Sequence, residues 1–570
     1  VLQASDDTFR LNADFFDYSI VAIYFIVVIG IGLLARRQVS SSIDFFLSGR
    51  SLPAWVTGLA FISANLGAVE IMGMSANGAQ FGVATFHYFW IGAVPAMLFL
   101  GVVMMPFYYG SGVRSVPEFM RRRFGTGAHL VNAISFAIAQ LLIAGINLYL
   151  LATIVNRLLG WALWVSLIAA AIVVLSYITL GGLSAAIYNE VLQFFVIVAA
   201  LLPLTIIALH KVGGWQGIKD KVVGVGGTPN SEQLSSWPGT DLTGIDNPVL
   251  SVIGLVFGLG FVLSFGYWTT NFVEVQRAMA SDSLSSARRA PIIGAFPKMF
   301  IPFIVIIPGM AAAIIVPEIA NYKSGSGDTG GATYNDAILL LMRDLLPNGM
   351  LGVAIAGLLA SFMAGMAANI SAFNTVFSYD IWQQYVKKDK PDGYYTLVGR
   401  IATIAATVIA IGTAFFASNY DNLMNYLQTL FGFFNAPLFA TFILGMFWKR
   451  MSASAGWTGL VAGTAAAVAV AFLSEDAFGS ASLGVIGLSG QGASFVAAGA
   501  AFVVDIVVSV VVTMFTRPRA EKELAGLVYS LTPKESLVDP EEKSLPWFQS
   551  PTKLAGIGLA IVIVLNVLFR

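Results

Sequence analysis

The chain has 570 residues, of which 57% are hydrophobic and only 11% charged, and its formal charges cancel. This balance lies far outside the composition of soluble domains and gives no electrostatic case for binding nucleic acid. The absence of cysteine excludes disulfides, thiolate metal sites and cysteine nucleophiles, and three histidines far apart in sequence (His87, His129, His210) do not make a zinc site.

The apolar residues come in runs of about 20, the length a helix needs to cross about 30 Å of hydrocarbon, and not in the alternating ten-residue segments of an outer-membrane barrel. In chain order the runs predict fourteen spans: 14–35, 53–80, 84–110, 130–157, 161–180, 185–210, 248–277, 290–317, 347–378, 396–417, 422–448, 454–473, 493–516 and 551–569. Most of the 31 lysines and arginines then fall in one set of loops, which the positive-inside rule places in the cytoplasm with both termini outside. The longest polar stretches, about 211–247 and 517–550, are too short to bury a core, so function must reside among the spans.

The second span contains the stretch LAFISANLGAVEIMGMSANGAQFG (residues 59–82), with four glycines and the carboxylate Glu70 near its middle. Irregular backbone and an ionisable group survive at that depth only where protein or water covers them, which predicts an interrupted helix lining a site. The structural alternative is a Gly-rich packing helix with a buried Glu70. The seventh span, through GLVFGLGFVLSFGYW, is also long and Gly-interrupted, and each of the two begins a run of five spans. Broken helices at matching positions of two halves point to a carrier with inverted repeats and a midplane site. The remaining intramembrane charges are Lys298 and, at a helix end, Glu190 and Glu274. An ammonium inside a span needs a cavity or a carboxylate, and Glu70 is the candidate partner.

Several segments resemble the sodium:solute symporter family, most closely its sodium/glucose (sodium/galactose) cotransporter branch. They are VPEFMRRRFG (116–125), GGLSAAIYNEVLQ (181–193), GYWTTNFVEVQR (266–277), PKMFIPFIVIIPG (297–309), FNTVFSYDI (373–381) and FWKR (447–450). The resemblance implies an all-α membrane protein of fourteen transmembrane helices, LeuT-like, with a broken first core helix and a ten-helix core of two inverted five-helix repeats. In this chain, residues 1–52 would hold the extracellular N-terminus, first span and cytoplasmic loop, 53–210 the first repeat, 211–247 an extracellular loop, 248–448 the second repeat, and 449–570 the peripheral helices. It also implies a secondary active transporter of the plasma (inner) membrane, working by alternating access, not an enzyme. The expected partners are a small solute, with a sugar favoured, and the lipid bilayer. Sodium would be the coupling ion with no organic cofactor, and the oligomeric state is left open.

Carried over position by position, the resemblance implies a sugar-type pocket at Asn65, Glu70, Ser264, Tyr267, Trp268, Lys298 and Gln428. Tyr267 would be the inner gate, and Met74, Tyr88 and Met424 the outer one. Amide, hydroxyl and ammonium groups suit sugar hydroxyls, and an aromatic face suits the C–H side of a pyranose. The structural alternative is that Tyr267 and Trp268 pack and that Gln428 bridges helices.

Two departures stand out. Sugar carriers of this branch place a glutamate just before a Trp in the third span, where this chain has Phe89 before Trp90, so an acceptor is missing that Glu70 could replace from the other wall. His87 is a further candidate, although two residues from Phe89 on a helix it faces elsewhere. In the sodium site, carbonyls would come from Ser63, Leu66 and Ser361, but the two hydroxyl positions are Ala364 and Gly365. A hard cation prefers more oxygens than these, unless the small residues serve close helix packing. Sodium coupling through a depleted site, proton coupling through Glu70, and uncoupled transport of a sugar, polyol or small carboxylate therefore stand side by side. Glu190, matching a carboxylate that relatives place near the cytoplasmic mouth, favours a cation path. A carrier-like membrane sensor is the distant alternative.

Overall fold

The computed structural model describes residues 10–570 apart from 38–40, 68, 228–230, 238–239, 246, 419, 421, 476–481, 489 and 538. Ala68, inside the predicted break, and parts of the predicted loop 211–247 thus lie outside the described residues.

The longer helices are α1 (Phe15–Arg36), α2 (Ala54–Asn65), α3 (Val69–Phe86), α4 (Tyr88–Gly110), α5 (Thr126–Leu159), α6 (Leu163–Ser176), α7 (Gly182–Val212) and α8 (Pro248–Thr270). They continue with α9 (Phe272–Met279), α10 (Leu284–Ile315), α11 (Met350–Val386), α12 (Asp392–Ala417), α13 (Leu423–Phe447), α14 (Ala453–Leu473), α15 (Gly490–Phe515) and α16 (Pro551–Leu568). Among the described residues twelve helices are long and apolar enough to cross a membrane, and thirteen when α2 and α3 count as one bent span. The segment predicted over 161–180 corresponds to α6, whose helix runs on into α7 and is set off from it by a kink at Gly182, where a φ of +57° is one only glycine adopts easily.

Local chemistry sets the helix ends. Asp14 caps α1, accepting from the backbone N–H groups of Phe16 and Asp17, while Asp17 returns a bond to the Asp14 N–H. The buried Asp17 carboxylate also accepts from the Gly349 and Gly352 N–H groups at 2.8 and 2.5 Å, which fixes α1 to the start of α11. Asn247, Asn271 and Asn422 cap α8, α9 and α13 in the same side-chain-to-backbone manner.

Burial separates core from periphery. In its apolar window α11 is 89% buried, whereas α16 is 22% and α1 28% buried, with Ile26, Ile206 and Val564 among the large side chains left facing outward. Such apolar exposure suits lipid and would be an aggregation hazard in water. Deep in the peripheral layer Asp505 of α15 accepts from Thr441 Oγ1 of α13 at 2.8 Å and from Ser509 Oγ at 3.1 Å, so its carboxylate is satisfied where no water reaches.

Both predicted interruptions exist. Helices α2 and α3 meet at 58°, and α3 opens with a wide turn over Val69–Gly73. In the seventh span the helix widens over Gly254–Ser264, then breaks at Asn271, whose extended backbone (φ −72°, ψ 117°) separates α8 from α9. The α3 half of the broken second span lies directly on α10. A Cβ at Gly78 would come within 2.3 Å of the Ile306 carbonyl oxygen, and one at Gly309 within 2.0 Å of the Ser75 carbonyl oxygen. Ser75 Oγ adds a hydrogen bond to the Val305 carbonyl at 2.7 Å. Gly309→Ala should therefore force the two backbones apart and lower the thermal unfolding midpoint in detergent, by the equivalent of about 1–3 kcal/mol. Gly412→Ala, where an added Cβ meets nothing within 4 Å, should leave the midpoint unchanged and is the control.

Candidate functional site

Where α2 breaks toward α3, the chain lines a cavity bounded also by α4, α5, α8, α10, α11 and α13. All eight residues expected at a solute pocket lie on its wall: Asn65, Glu70, Phe89, Ser264, Tyr267, Trp268, Lys298 and Gln428. The residues expected as gates, Met74, Tyr88, Tyr267 and Met424, line it as well.

The polar centre is a buried ion pair. Lys298 Nζ, at the end of the first half of α10, donates to Glu70 Oε1 at 2.6 Å and also to the side-chain oxygen of Asn65. The ammonium is 1% exposed and Glu70 14%, so the carboxylate keeps an edge toward the cavity while the cation does not. Two rings cover the ammonium, Phe89 at 4.8 Å and Trp268 at 5.1 Å from Nζ, a placement that favours positive charge through the ring quadrupoles. Phe89, which occupies the place of an expected acceptor, thus contacts the cation.

Below this pair the Asn65 amide N–H donates to Tyr267 Oη at 3.1 Å, and Tyr267 Oη in turn donates to Glu274 Oε1 at 2.7 Å. The Tyr267 ring packs on Phe431 with centroids 4.5 Å apart, and Trp268 stacks on Phe61 at 5.6 Å. At the other end Gln428 Nε2 lies 3.4 Å from the Met424 sulfur, and Met424 Cε would meet a Cβ on Gly73 at 3.3 Å. His87 faces away, with its ring 4.0 Å from that of Trp237.

The residues expected around a cation are only partly assembled as ligands. Ser361 Oγ donates to the Leu66 carbonyl at 2.6 Å, so α11 meets the break where the sequence reading placed it. The Ser63 hydroxyl is buried and has no hydrogen-bond partner among the described residues. Ala364 is fully buried, and Gly365 is in backbone contact: a Cβ there would lie 3.1 Å from the Gly67 Cα and 2.8 Å from Asn147 Oδ1. Close packing is thus the physical reason a hydroxyl-bearing side chain is absent at 365. Glu190, expected on an ion path, is fully buried and held by Arg277, with Nη2 at 2.6 Å from Oε1 and Nε at 3.3 Å from Oε2.

Four polar residues near the site had no role in the sequence reading. Asn147, Asn271 and Asn369 line the cavity, and Glu274 accepts from its tyrosine floor. Asn147 carried a legible signal, since it stands alone in an apolar run, whereas Asn271 and Asn369 have polar neighbours, and an uncharged amide is common enough in membrane helices to pass as packing.

A partly polar cavity held at the meeting of broken helices, inside a bundle of apolar spans, defines a membrane carrier. The sodium:solute symporter profile matches residues 45–463, and the chain belongs to that family. It is 30% identical over 475 residues to the sodium/glucose cotransporter of Vibrio parahaemolyticus, covering 80% of this chain and 86% of that one. To the sodium/myo-inositol cotransporter 2 of Oryctolagus cuniculus it is 27% identical over 473 residues, covering 78% and 68%. The fold matches that of a Na+-coupled sialic acid symporter in its substrate-bound outward-open state with a TM-score of 0.70 at 18% identity, covering 89% of this chain and 99% of that chain. The protein is an integral membrane symporter that couples solute uptake to sodium.

Removing one member of the Lys298–Glu70 pair leaves the other charged and buried, a loss of about 3–5 kcal/mol, whereas removing both does not. Lys298→Met and Glu70→Leu should each lower the unfolding midpoint, and the double variant should recover most of the loss. A simple sum of the two losses in a thermal-melt cycle would show that the pair carries no coupling.

Proposed function

We propose that the chain carries out sodium-driven uptake of a neutral sugar or closely related polyol by alternating access. The observation that carries this reading is the charge balance of the cavity. Lys298 and Glu70 neutralise each other at 2.6 Å, so the site offers donors and an acceptor without net charge. A carboxylate solute would have to displace Glu70 from its ammonium, while a neutral polyol can bond to the exposed edge of Glu70 and to Gln428 and Ser264 with the pair intact. The rings of Tyr267 and Trp268 that line the cavity supply apolar surface for C–H groups. Tyr267, resting on Phe431, is the inner gate, and Met74, Tyr88 and Met424 form the outer one. Relatives named for glucose and myo-inositol support the same solute class.

For the scaffold we infer fourteen membrane helices, counting α6, with a ten-helix core of two inverted repeats over 53–210 and 248–448, both termini outside the plasma membrane. Residues 1–52, 211–247 and 449–570 lie outside those repeats. Sodium would be held beside the break by the carbonyls of Ser63, Leu66 and Ser361 and the Ser361 hydroxyl. Ser63 Oγ of α2 and Asn147 Oδ1 of α5, the latter against Gly365 and Gly67, are further buried oxygens with no hydrogen-bond partner among the described residues. A positive ion there would strengthen the field that holds α11 against the break, which couples cation loading to the geometry of the solute wall. Glu190, neutralised by Arg277, then shapes the path and does not bind the ion.

In proteoliposomes an inward sodium gradient should drive uptake, and in a thermal-shift screen neutral hexoses and inositols should stabilise the protein. Stabilisation by amino acids or carboxylates alone would overturn the solute class. Glu70→Gln should weaken solute binding by about tenfold, the loss of one charge-assisted hydrogen bond. Because Gly365 touches Gly67, only Ala364→Ser is a clean restoration of a cation ligand. It should raise sodium affinity severalfold in sodium-dependent binding, whereas Gly365→Ser should lower the yield of folded protein.

A further inference from the structure

We propose that Glu274 is a proton-binding site behind the inner gate, loaded from the cytoplasm as the gate closes, so that an acid cytoplasm holds the carrier shut on that side. The inference rests on the reading of Tyr267 as the inner gate. Glu274 is fully buried one helical turn past the break at Asn271. Its Oε1 accepts from Tyr267 Oη at 2.7 Å, and its Oε2 is buried with no hydrogen-bond partner among the described residues. Hydrogen bonds run one way, from Lys298 to Asn65 to Tyr267 to Glu274, so the carboxyl is the terminal acceptor of a chain that begins at a cation.

The surrounding charges leave Glu274 as the odd one. On its own helix Arg277 is bound to Glu190 of α7, and on α10 Lys298 is bound to Glu70, so two cations and two carboxylates already cancel. Arg288 of α10 is committed to Glu542 at 2.7 Å, and Arg289 of α10 points back to the Ser285 carbonyl and the Ser286 hydroxyl of its own helix. The other titratable groups on elements packed against α9 are Asp44 of the short helix Ser42–Leu47 and the phenols Tyr108 and Tyr109 of α4; α11 contributes none within Met350–Thr375. Among the described residues no cation forms an ion pair with Glu274. A buried carboxylate without a counter-ion is far less stable than the neutral acid, and the free Oε2 is the atom on which a proton sits without disturbing the bond from Tyr267.

Position decides where the proton comes from. Tyr267, Asn271 and Val273 line the solute cavity and Glu274 does not, so the tyrosine separates the carboxyl from the solute. Water reaches Glu274 only when the gate swings away. Opening then hydrates the carboxylate and releases the proton to cytoplasmic water, and closing takes one back. No proton crosses the membrane in this cycle. Because the closed gate binds the proton more tightly, closure is favoured as cytoplasmic pH falls.

The chain has no native cysteine, so Ser264→Cys provides a single reporter inside the cavity. Labelling of inverted vesicles from the cytoplasmic side, between about pH 6 and about pH 8, should rise severalfold more steeply with Glu274 present than in the same reporter carrying Glu274→Gln, a comparison that cancels the reagent's own pH dependence. An equal slope in both overturns the proposal. Infrared titration of the otherwise unaltered protein with its glutamates isotopically labelled should show the carbonyl band of a protonated glutamic acid, distinct from Asp505, that fades as pH rises and is missing in Glu274→Gln. A band unchanged in that variant overturns the proposal as well. The gate reading is tested apart from it: Tyr267→Ala should speed cytoplasmic labelling of Ser264→Cys at every pH. If it does not, Tyr267 is not the gate and the link to gating falls, while the infrared band still reports whether Glu274 holds a proton.

Discussion

Everything in the solute site depends on one constraint, that an ammonium cannot remain in the low-dielectric interior of a membrane protein without compensation. Lys298 meets it with a carboxylate, an amide oxygen and two aromatic faces. Each partner comes from a different element, so the requirement of a single cation fixes how the break after α2, the start of α4 and the C-terminal end of α8 stand relative to α10. The cavity is the space left when those commitments are satisfied, and its neutrality follows from the same pairing.

A second consequence of that arrangement is division of labour along the broken second span. Asn65 belongs to the solute wall and the tyrosine floor together, one amide face receiving Lys298 and the other donating to Tyr267. Leu66, the next residue, turns its carbonyl to Ser361 on the opposite side. Two adjacent residues at the end of a helix thus address three separate helices, α8, α10 and α11. Unwound backbone makes this feasible, because main-chain groups there are released from the helical ladder.

The parts of this architecture that were legible in the sequence are those the membrane makes unforgiving. Glu70 and Lys298 could be matched because intramembrane charges are so few, and the break after Asn65 could be placed because glycines and a carboxylate have no use in a plain anchor. Other features depend on distance in the chain or on fine packing. The Arg277 partner of Glu190 lies 87 positions away, and nothing in the local pattern pairs the two. The sequence left two readings of Gly365, a lost ligand or close helix packing, and its contact with Gly67 depends on distance no local pattern shows. Glu274 stood out as a charge at a helix end, yet its engagement with the Tyr267 hydroxyl depends on how α8 and α9 fold back across Asn271.

The glycine contacts between α3 and α10 bear on how such a carrier moves. With Gly78 against the Ile306 carbonyl and Gly309 against that of Ser75, the two backbones touch with no layer of side chains between them and form the two arms of one rigid joint. Glu70 sits at the root of one arm and Lys298 at the root of the other. The ion pair therefore ties the two arms together a second time, while α2, α4 and α8 meet it through Asn65 and the rings of Phe89 and Trp268.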